Sequence, residues 1–165
     1  MCLIITKQSK DNCKFKYVYK LLLQHCTNKE LYSFYKYDDQ TKEQYHYKLN
    51  EEFVSNRKET KITKIECYGE KINIGTHVLL NKEEAVKFLE LPNYNHERYY
   101  NNTLTFFNLV VVKCKAYTQN KVANGKFNGN KAAVYTKITP IKIIETIKPK
   151  GQYSFVFSEN CCCVK

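Results

Sequence analysis

The sequence predicts an α+β domain in which a mainly antiparallel sheet of five or six strands packs against one amphipathic helix. Three observations support this fold class. Apolar residues alternate along several extended segments, which is typical of strands. Residues 72–92 change from a period of two to helical spacing. Asn-Gly dipeptides, which favour tight turns, separate extended segments near the C-terminal end.

Residues 15–23 predict the first long strand, with two faces of different character. One face is aromatic and aliphatic, and the other combines lysines with two aliphatic residues. We therefore expect the first face to be buried and the second to be largely solvated. The first face consists of Phe15, Tyr17, Tyr19, Leu21 and Leu23. The second consists of Lys14, Lys16, Val18, Lys20 and Leu22.

The segment between this strand and the helix is less regular. Residues 25–40, which include the run LYSFYKY, show no clean period and are expected to be irregular. A short strand is predicted at 45–49, a charged surface loop at 51–61 and another short strand at 62–67, turning at Gly69.

Residues 72–80 predict a strand that leads directly into the helix. Asn81 is expected to cap the helix, and Glu84, at the third helical position, to reach back to the cap. Ala85 and Phe88 contribute to an apolar stripe, and Pro92 ends the segment.

After an exposed loop at 93–102, residues 104–117 predict the most apolar strand, with Lys113, Lys115 and Tyr117 on its outer side. The dipeptides at 124–125 and 128–129 predict turns into a strand at 131–138. Pro140 is expected to break that strand or to place it at an edge, and residues 141–144 continue it.

We interpret residues 1–147 as one domain and residues 148–165 as a tail with a cysteine-rich end. The N-terminus lacks the pattern of a secretory leader, and the longest apolar run, 106–112, is too short to span a bilayer. These features favour a reduced, cytoplasmic protein without a transmembrane segment. Lipidation of Cys162 is not expected, because Lys165 is an unusual last residue for a C-a-a-X box.

The net charge is +11, yet only Arg57 and Arg98 among the 27 basic residues are arginines. Dedicated readers of phosphates and bases rely on arginine, so we interpret most lysines as a solvated coating. Nucleic-acid binding is kept as an alternative. Its candidate contacts are Lys14, Lys16, Lys20, Lys113 and Lys115.

No motif for catalysis, metal binding or phosphate binding occurs, so the sequence predicts no catalytic residue, no metal site and no cofactor. His77 is interpreted first as a half-exposed surface histidine. The alternative hypothesis places His77 in a concave pocket with Tyr19 and Lys20, where the three side chains bind an anionic or nucleotide-like ligand.

Several short motifs together resemble a family of short, uncharacterised proteins of bacteriophages and large DNA viruses that open with Met-Cys-Leu and are sometimes attached to pentapeptide repeats. The resemblance implies a viral origin and, with it, the cytoplasm of a host cell, but it implies no particular activity. The motifs are MCLI at the start, Val18-Tyr19-Lys20, Gly75-Thr76-His77, Glu84-Ala85, Val111-Val112-Lys113-Cys114 and the glycine-rich turn.

The leading hypothesis is a non-catalytic binding or interaction module with a protein partner. Its contact patch is predicted at Tyr32, Phe34, Tyr35 and Tyr37. One alternative is a nucleotide-binding enzyme, because the order of a Tyr-Lys strand and a Gly-x-His strand also resembles ADP-ribosyltransferase-like folds. Lys20 stands where those folds usually have an arginine or a histidine, and no Ser-Thr-Ser segment or catalytic glutamate is visible. The other alternative is the nucleic-acid binder.

Overall fold

A computed structural model describes residues 3–5, 13–25, 27–37, 44–55, 71–72, 75–90 and 107–147. Within them the chain forms a mainly antiparallel sheet with one α-helix packed on it, so the predicted fold class is confirmed at that level. The predicted number of five or six strands is wrong, because these residues form eleven. Several of the additional strands have only two to four residues, too few to show a period of two in the sequence.

The helix α1 spans Lys82–Glu90. A single turn of 3-10 helix, Thr118–Asn120, connects two of the strands. The strands are β1 (Leu3–Ile5), β2 (Phe15–His25), β3 (Leu31–Tyr37), β4 (Gln44–Tyr47), β5 (Phe53–Val54), β6 (Lys71–Ile72), β7 (Thr76–Leu79), β8 (Phe107–Tyr117), β9 (Lys121–Phe127), β10 (Asn130–Tyr135) and β11 (Lys137–Ile147).

The strand order is β5-β11-β8-β2-β7-β10-β9-β1-β6, and β3 joins the sheet beside β2 and carries β4. β2 and β8 pair along their full lengths, from Phe15 opposite Tyr117 to His25 opposite Phe107. The second edge of β2 is divided, because β7 pairs at Tyr19 and β3 pairs at residues 22–24. β2 therefore connects three groups of strands: those that continue from β8, those that continue from β7, and the pair β3 and β4.

Both faces of the sheet carry a core. On one face, α1 contacts β2, β7 and β8, and Phe88 belongs to the same buried cluster as Leu21 and Leu79. On the opposite face, Val18 and Leu22 are fully buried beneath residues that include Tyr47. The expectation that the lysine-bearing face of β2 is largely wet is therefore wrong. Val18 and Leu22, already present on that face in the sequence, are the residues that bury it.

The predicted helix start is confirmed, since the Oδ1 atom of Asn81 accepts a hydrogen bond of 3.0 Å from the backbone amide of Glu84. The predicted return contact of Glu84 is replaced by another one. Its carboxylate accepts a hydrogen bond of 3.2 Å from the backbone amide of Lys131 on β10. Glu84 therefore attaches the first turn of the helix to the sheet.

Two turn predictions have different outcomes. Asn128 and Gly129 have φ values of +47° and +81° and form the predicted turn between β9 and β10. Asn124 and Gly125, in contrast, lie inside β9 and pair with Ala133 and Ala132, so the turn predicted there is wrong. Gly125 is buried beside β1, which pairs at this position.

The strands near β7 and β11 begin and end at other residues than the sequence predicts. Gly75, at φ +69°, precedes β7, and the predicted strand over 72–80 is two strands, β6 and β7. Pro140 lies within β11 and does not break it, and the pairing with β8 shifts register between Pro140 and Lys142. The predicted alternative agrees better, because β5 pairs with β11 only at Lys137 and Ile138, so that among the described strands Pro140 has a partner strand on one side. The region 25–40, expected to be irregular, contains the strand β3.

The strand predicted at 62–67, the loop at 93–102 and the tail at 148–165 lie outside the described residues.

Candidate functional site

The three residues of the predicted ligand pocket come from neighbouring strands but not from one face. Tyr19 pairs with Leu79, and both pack into the core beneath α1. His77 lies two residues before Leu79 on β7 and is therefore on the same face, buried at 3% exposure. Lys20 is on the opposite face, because its ammonium lies over the ring of Tyr47. The sheet separates Lys20 from the other two side chains, and the interpretation of His77 as half-exposed is wrong.

Lys20 carries an ammonium group surrounded by protein, although part of its side chain retains contact with solvent. Its Nζ atom donates a hydrogen bond of 3.1 Å to the backbone carbonyl of His77 and lies 5.5 Å from the centroid of the Tyr47 ring. Burial lowers the pKa of Lys20 to about 8, and the neighbouring Cys114 opposes that effect weakly. Within the described part of the chain, a carbonyl and a ring thus stabilise the charge.

The polar groups around Lys20 are suited to packing and not to nucleophilic chemistry. Burial raises the pKa of the Cys114 thiol to about 12, so Cys114 remains a thiol at neutral pH. Burial also raises the pKa of the Tyr47 hydroxyl, which shares a hydrogen bond with the side chain of Thr76. The cluster of Lys20, Tyr47, Thr76 and Cys114 is a buried polar layer within the core.

The five lysines proposed as a basic surface do not form one surface. Lys20 faces the core that contains Tyr47, and Lys16 has the same parity on β2. Lys14 is exposed just before the strand. Lys113 and Lys115 have the opposite orientation, because Lys113 pairs with Tyr19 and Lys115 with Tyr17.

Lys113 and Lys115 belong to a different grouping, which we call the aromatic–lysine face. It consists of Phe15, Tyr17, Lys113, Lys115 and Tyr117, at the end of β2 and β8 that extends beyond α1. Phe15 is 37% exposed and Tyr17 is 48% exposed. Phe15 and Tyr17 are two of the large hydrophobic side chains that stay exposed, and they lie together beside two lysines, so this part of the sheet is a candidate surface for contact.

The rings and ammonium groups of the aromatic–lysine face contact one another. Lys113 Nζ lies 3.7 Å from the centroid of the Tyr17 ring, and Lys115 Nζ lies 4.5 Å from that of Phe15 and 4.9 Å from that of Tyr117. The ring centroids of Phe15 and Tyr17 are 5.6 Å apart, in an edge-to-face arrangement. These contacts fix the positions of two positive charges beside exposed rings.

The predicted tyrosine patch is described only at Tyr32, since the side chains of Phe34, Tyr35 and Tyr37 lie outside the described residues. The Tyr32 ring packs edge-to-face against His46 and Phe107, and its hydroxyl donates a hydrogen bond to Glu30. This hydrogen bond raises the pKa of Tyr32 and lowers that of Glu30. The ring and the hydroxyl of Tyr32 thus contact residues of the same chain, and these contacts stabilise the fold.

Sequence reasoning named Lys113 and Lys115 but missed Phe15, Tyr17 and Tyr117 as members of a site. The alternation of aromatic and aliphatic residues along β2 predicts a buried face, and it does not distinguish the covered residues from the exposed ones. Whether a residue on this face of β2 is buried depends on where α1 docks. The helix covers only the part of the face nearer Leu21.

Across the part of the chain that the structure describes, no three histidine, cysteine, aspartate or glutamate side chains converge as metal ligands. The helix found in that part is too short and too polar to cross a membrane.

Searches of protein-family models, of curated proteins and of solved structures each find no match to this chain. The resemblance to proteins of phages and large DNA viruses therefore stays a prediction.

Proposed function

We propose that this protein is a non-catalytic binding module that contacts a negatively charged macromolecular partner through the aromatic–lysine face. The observation that carries the proposal is the exposure of Tyr17 and Phe15 beside Lys113 and Lys115. Exposed aromatic rings supply contact area with few rotatable bonds, and ordered ammonium groups attract an anionic surface.

The charge distribution supports a negatively charged partner. Of the lysines on β2 and β8, Lys113 and Lys115 lie on this face, and neither strand contains a carboxylate. Among the described residues, no carboxylate forms an ion pair with Lys113 or Lys115. Lys142 pairs with Lys113 from the neighbouring strand and is exposed, so it adds a third positive charge beside the same face.

Site-specific photo-crosslinking tests the proposal with the full chain in expressing cells. The photoreactive residue p-benzoylphenylalanine replaces Tyr17 in one variant and Val54, which is 39% exposed on β5, in a control variant. We expect adducts at position 17 well above those at position 54. Adding Lys115→Ala should reduce them, and adding Lys126→Ala, an exposed lysine on β9, should not.

Equal adduct yields at positions 17 and 54 would contradict the proposal, because contacts would then follow exposure alone. Equal effects of Lys115→Ala and Lys126→Ala would contradict it as well, since the attraction would then come from the net charge of the protein and not from this face.

A further inference from the structure

The chemistry of the aromatic–lysine face narrows the class of partner, on the premise that the proposed function is correct. Phe15 and Tyr17 lie two positions apart on β2, so both rings project from the same side of the sheet. Tyr117 lies opposite Phe15 on β8, with the ring centroids 6.2 Å apart. Three rings thus stand together at one end of an open sheet face.

Exposed rings on a sheet face are suited to stacking with nucleobases. Every base presents a flat π surface, and aromatic residues on sheets stack two or three bases in known modes of RNA recognition. Lys113 occupies one side of the Tyr17 ring, yet the residue remains 48% exposed, so much of its surface is accessible to a ligand.

The lysines are placed where a phosphate backbone would run. Lys113 and Lys115 flank the rings on β8, and Lys142 lies beside Lys113 on β11. Together they form a short basic row next to the stacking surface. Lysine neutralises phosphate as a point charge and does not read base edges in the bidentate manner of arginine.

These features favour single strands over the other polyanions. The bases of a duplex are already stacked on each other and cannot lie against Tyr17 and Phe15 without being separated. An acidic protein segment would pair with the lysines, but it offers the rings a flat group only where it carries an aromatic, proline or arginine side chain, whereas every nucleotide carries a base.

We infer that the aromatic–lysine face binds single-stranded nucleic acid without sequence preference, with Phe15, Tyr17 and Tyr117 stacking on bases and Lys113, Lys115 and Lys142 contacting phosphates. Three phosphate contacts give a slope of about −2 in a plot of log K against log salt concentration for a single strand. Stacking adds affinity that does not depend on salt.

Fluorescence anisotropy with labelled dT15, rU15 and a 15-base-pair duplex tests this inference on the full chain. We expect at least one single strand to bind more tightly than the duplex at 150 mM salt. Tyr17→Leu should weaken single-strand binding by about fivefold or more and leave the salt slope unchanged, whereas Tyr17→Phe, which keeps a ring, should bind like the wild type.

Lys115→Ala should reduce the magnitude of the salt slope by about 0.7, and the matched Lys126→Ala variant should leave it unchanged. Each variant is compared with the wild type by thermal unfolding, so that a loss of fold is not read as a loss of binding. Binding that is equal for duplex and single strand, or equal in the Tyr17→Leu and Tyr17→Phe proteins, would overturn the inference.

The crosslinked adducts at position 17 separate this inference from the proposed function. Adducts that are shortened by nuclease support it. Adducts that resist nuclease and are removed by protease treatment of the partner would overturn the nucleic-acid inference while leaving the binding face in place. The absence of any adduct specific to position 17 would remove both.

Discussion

The Nζ atom of Lys20 on β2 donates a hydrogen bond of 3.1 Å to the backbone carbonyl of His77 on β7. β7 pairs with β2 only at Tyr19, so the side chain of Lys20 adds a hydrogen bond between two strands that share one paired position. The ammonium group that makes the bond is desolvated, and among the described residues a carbonyl and the ring of Tyr47 compensate for the lost water. Lys20 therefore joins two strands while it destabilises the folded state in its charged form.

The Lys20→Met substitution should reveal this destabilisation through its pH dependence. Burial lowers the pKa of Lys20 from 10.5 to about 8, so both the folded and unfolded states are protonated below pH 8. Between pH 8 and 10.5 the unfolded state holds more protons, and the stability of the wild type rises with pH. The free energy of unfolding of Lys20→Met minus that of the wild type should fall by about 3 kcal/mol across this window.

Urea unfolding followed by far-UV circular dichroism at pH 7, 8, 9 and 10 measures this difference. Cys114 and Tyr47 have raised pKa values, so they lower stability at high pH in both proteins and largely cancel in the comparison. A Lys126→Met variant, which removes an exposed lysine on β9, is the control for the loss of one positive charge. A Lys20→Met difference that is constant with pH would show that the Lys20 ammonium is not desolvated.

Gly75→Ala should destabilise the protein by about 2 to 5 kcal/mol, because it combines an unfavourable backbone conformation with a steric clash. Gly75 has φ +69°, and a Cβ atom there would lie 2.6 Å from Cγ1 of Val134. Gly129→Ala is a matched control at φ +81° with open space around it, and should cost only about 1 to 2 kcal/mol. Chemical unfolding of the two variants measures the difference. Equal losses would exclude the clash with Val134.

Asn81→Ala should lower the free energy of unfolding by about 1 kcal/mol, because it removes the acceptor for the backbone amide of Glu84. Asn81→Asp, which keeps that acceptor, should retain the stability of the wild type.

Glu84→Ala should also cost about 1 kcal/mol, since it leaves the Lys131 amide without its side-chain acceptor. Thermal unfolding of the three variants checks these values. Full stability in Glu84→Ala would argue against its contact with β10.

Cys114 should react with iodoacetamide at least about a hundredfold more slowly than Cys13 in the folded protein at pH 8. Cys13 is exposed, whereas Cys114 is fully buried and has a pKa raised to about 12. Mass spectrometry of the peptides after timed labelling measures the two rates separately, and labelling in 8 M urea provides the reference. Comparable rates in the folded protein would mean that the core around Cys114 opens readily.

The sequence predicted those elements whose own residues determine them. The start of α1 follows from Asn81, the turn at residues 128–129 follows from its Asn-Gly pair, and the facing of β8 follows from its alternation. These signals are local, so they do not require knowledge of how distant segments pack.

Features that depend on distant segments were not predictable in this way. Whether Tyr17 or Leu21 is covered depends on the position of α1, although both have the same parity on β2. Lys20 is buried because β4 brings Tyr47 to its face of the sheet, and no local pattern in β2 indicates that. β3 lacks a clean apolar alternation and becomes a strand because β2 and β4 supply its hydrogen bonds.

The pairing of Phe15 with Tyr117 joins two strands that are synthesised at different times. β2 emerges from the ribosome before its long partner, β8, which begins only at Phe107. At 5 to 20 residues per second, the apolar residues of β2 wait roughly 5 to 20 s for that partner. The edge of β2 that pairs with β8 in the folded protein therefore lacks its partner strand for seconds in the nascent chain.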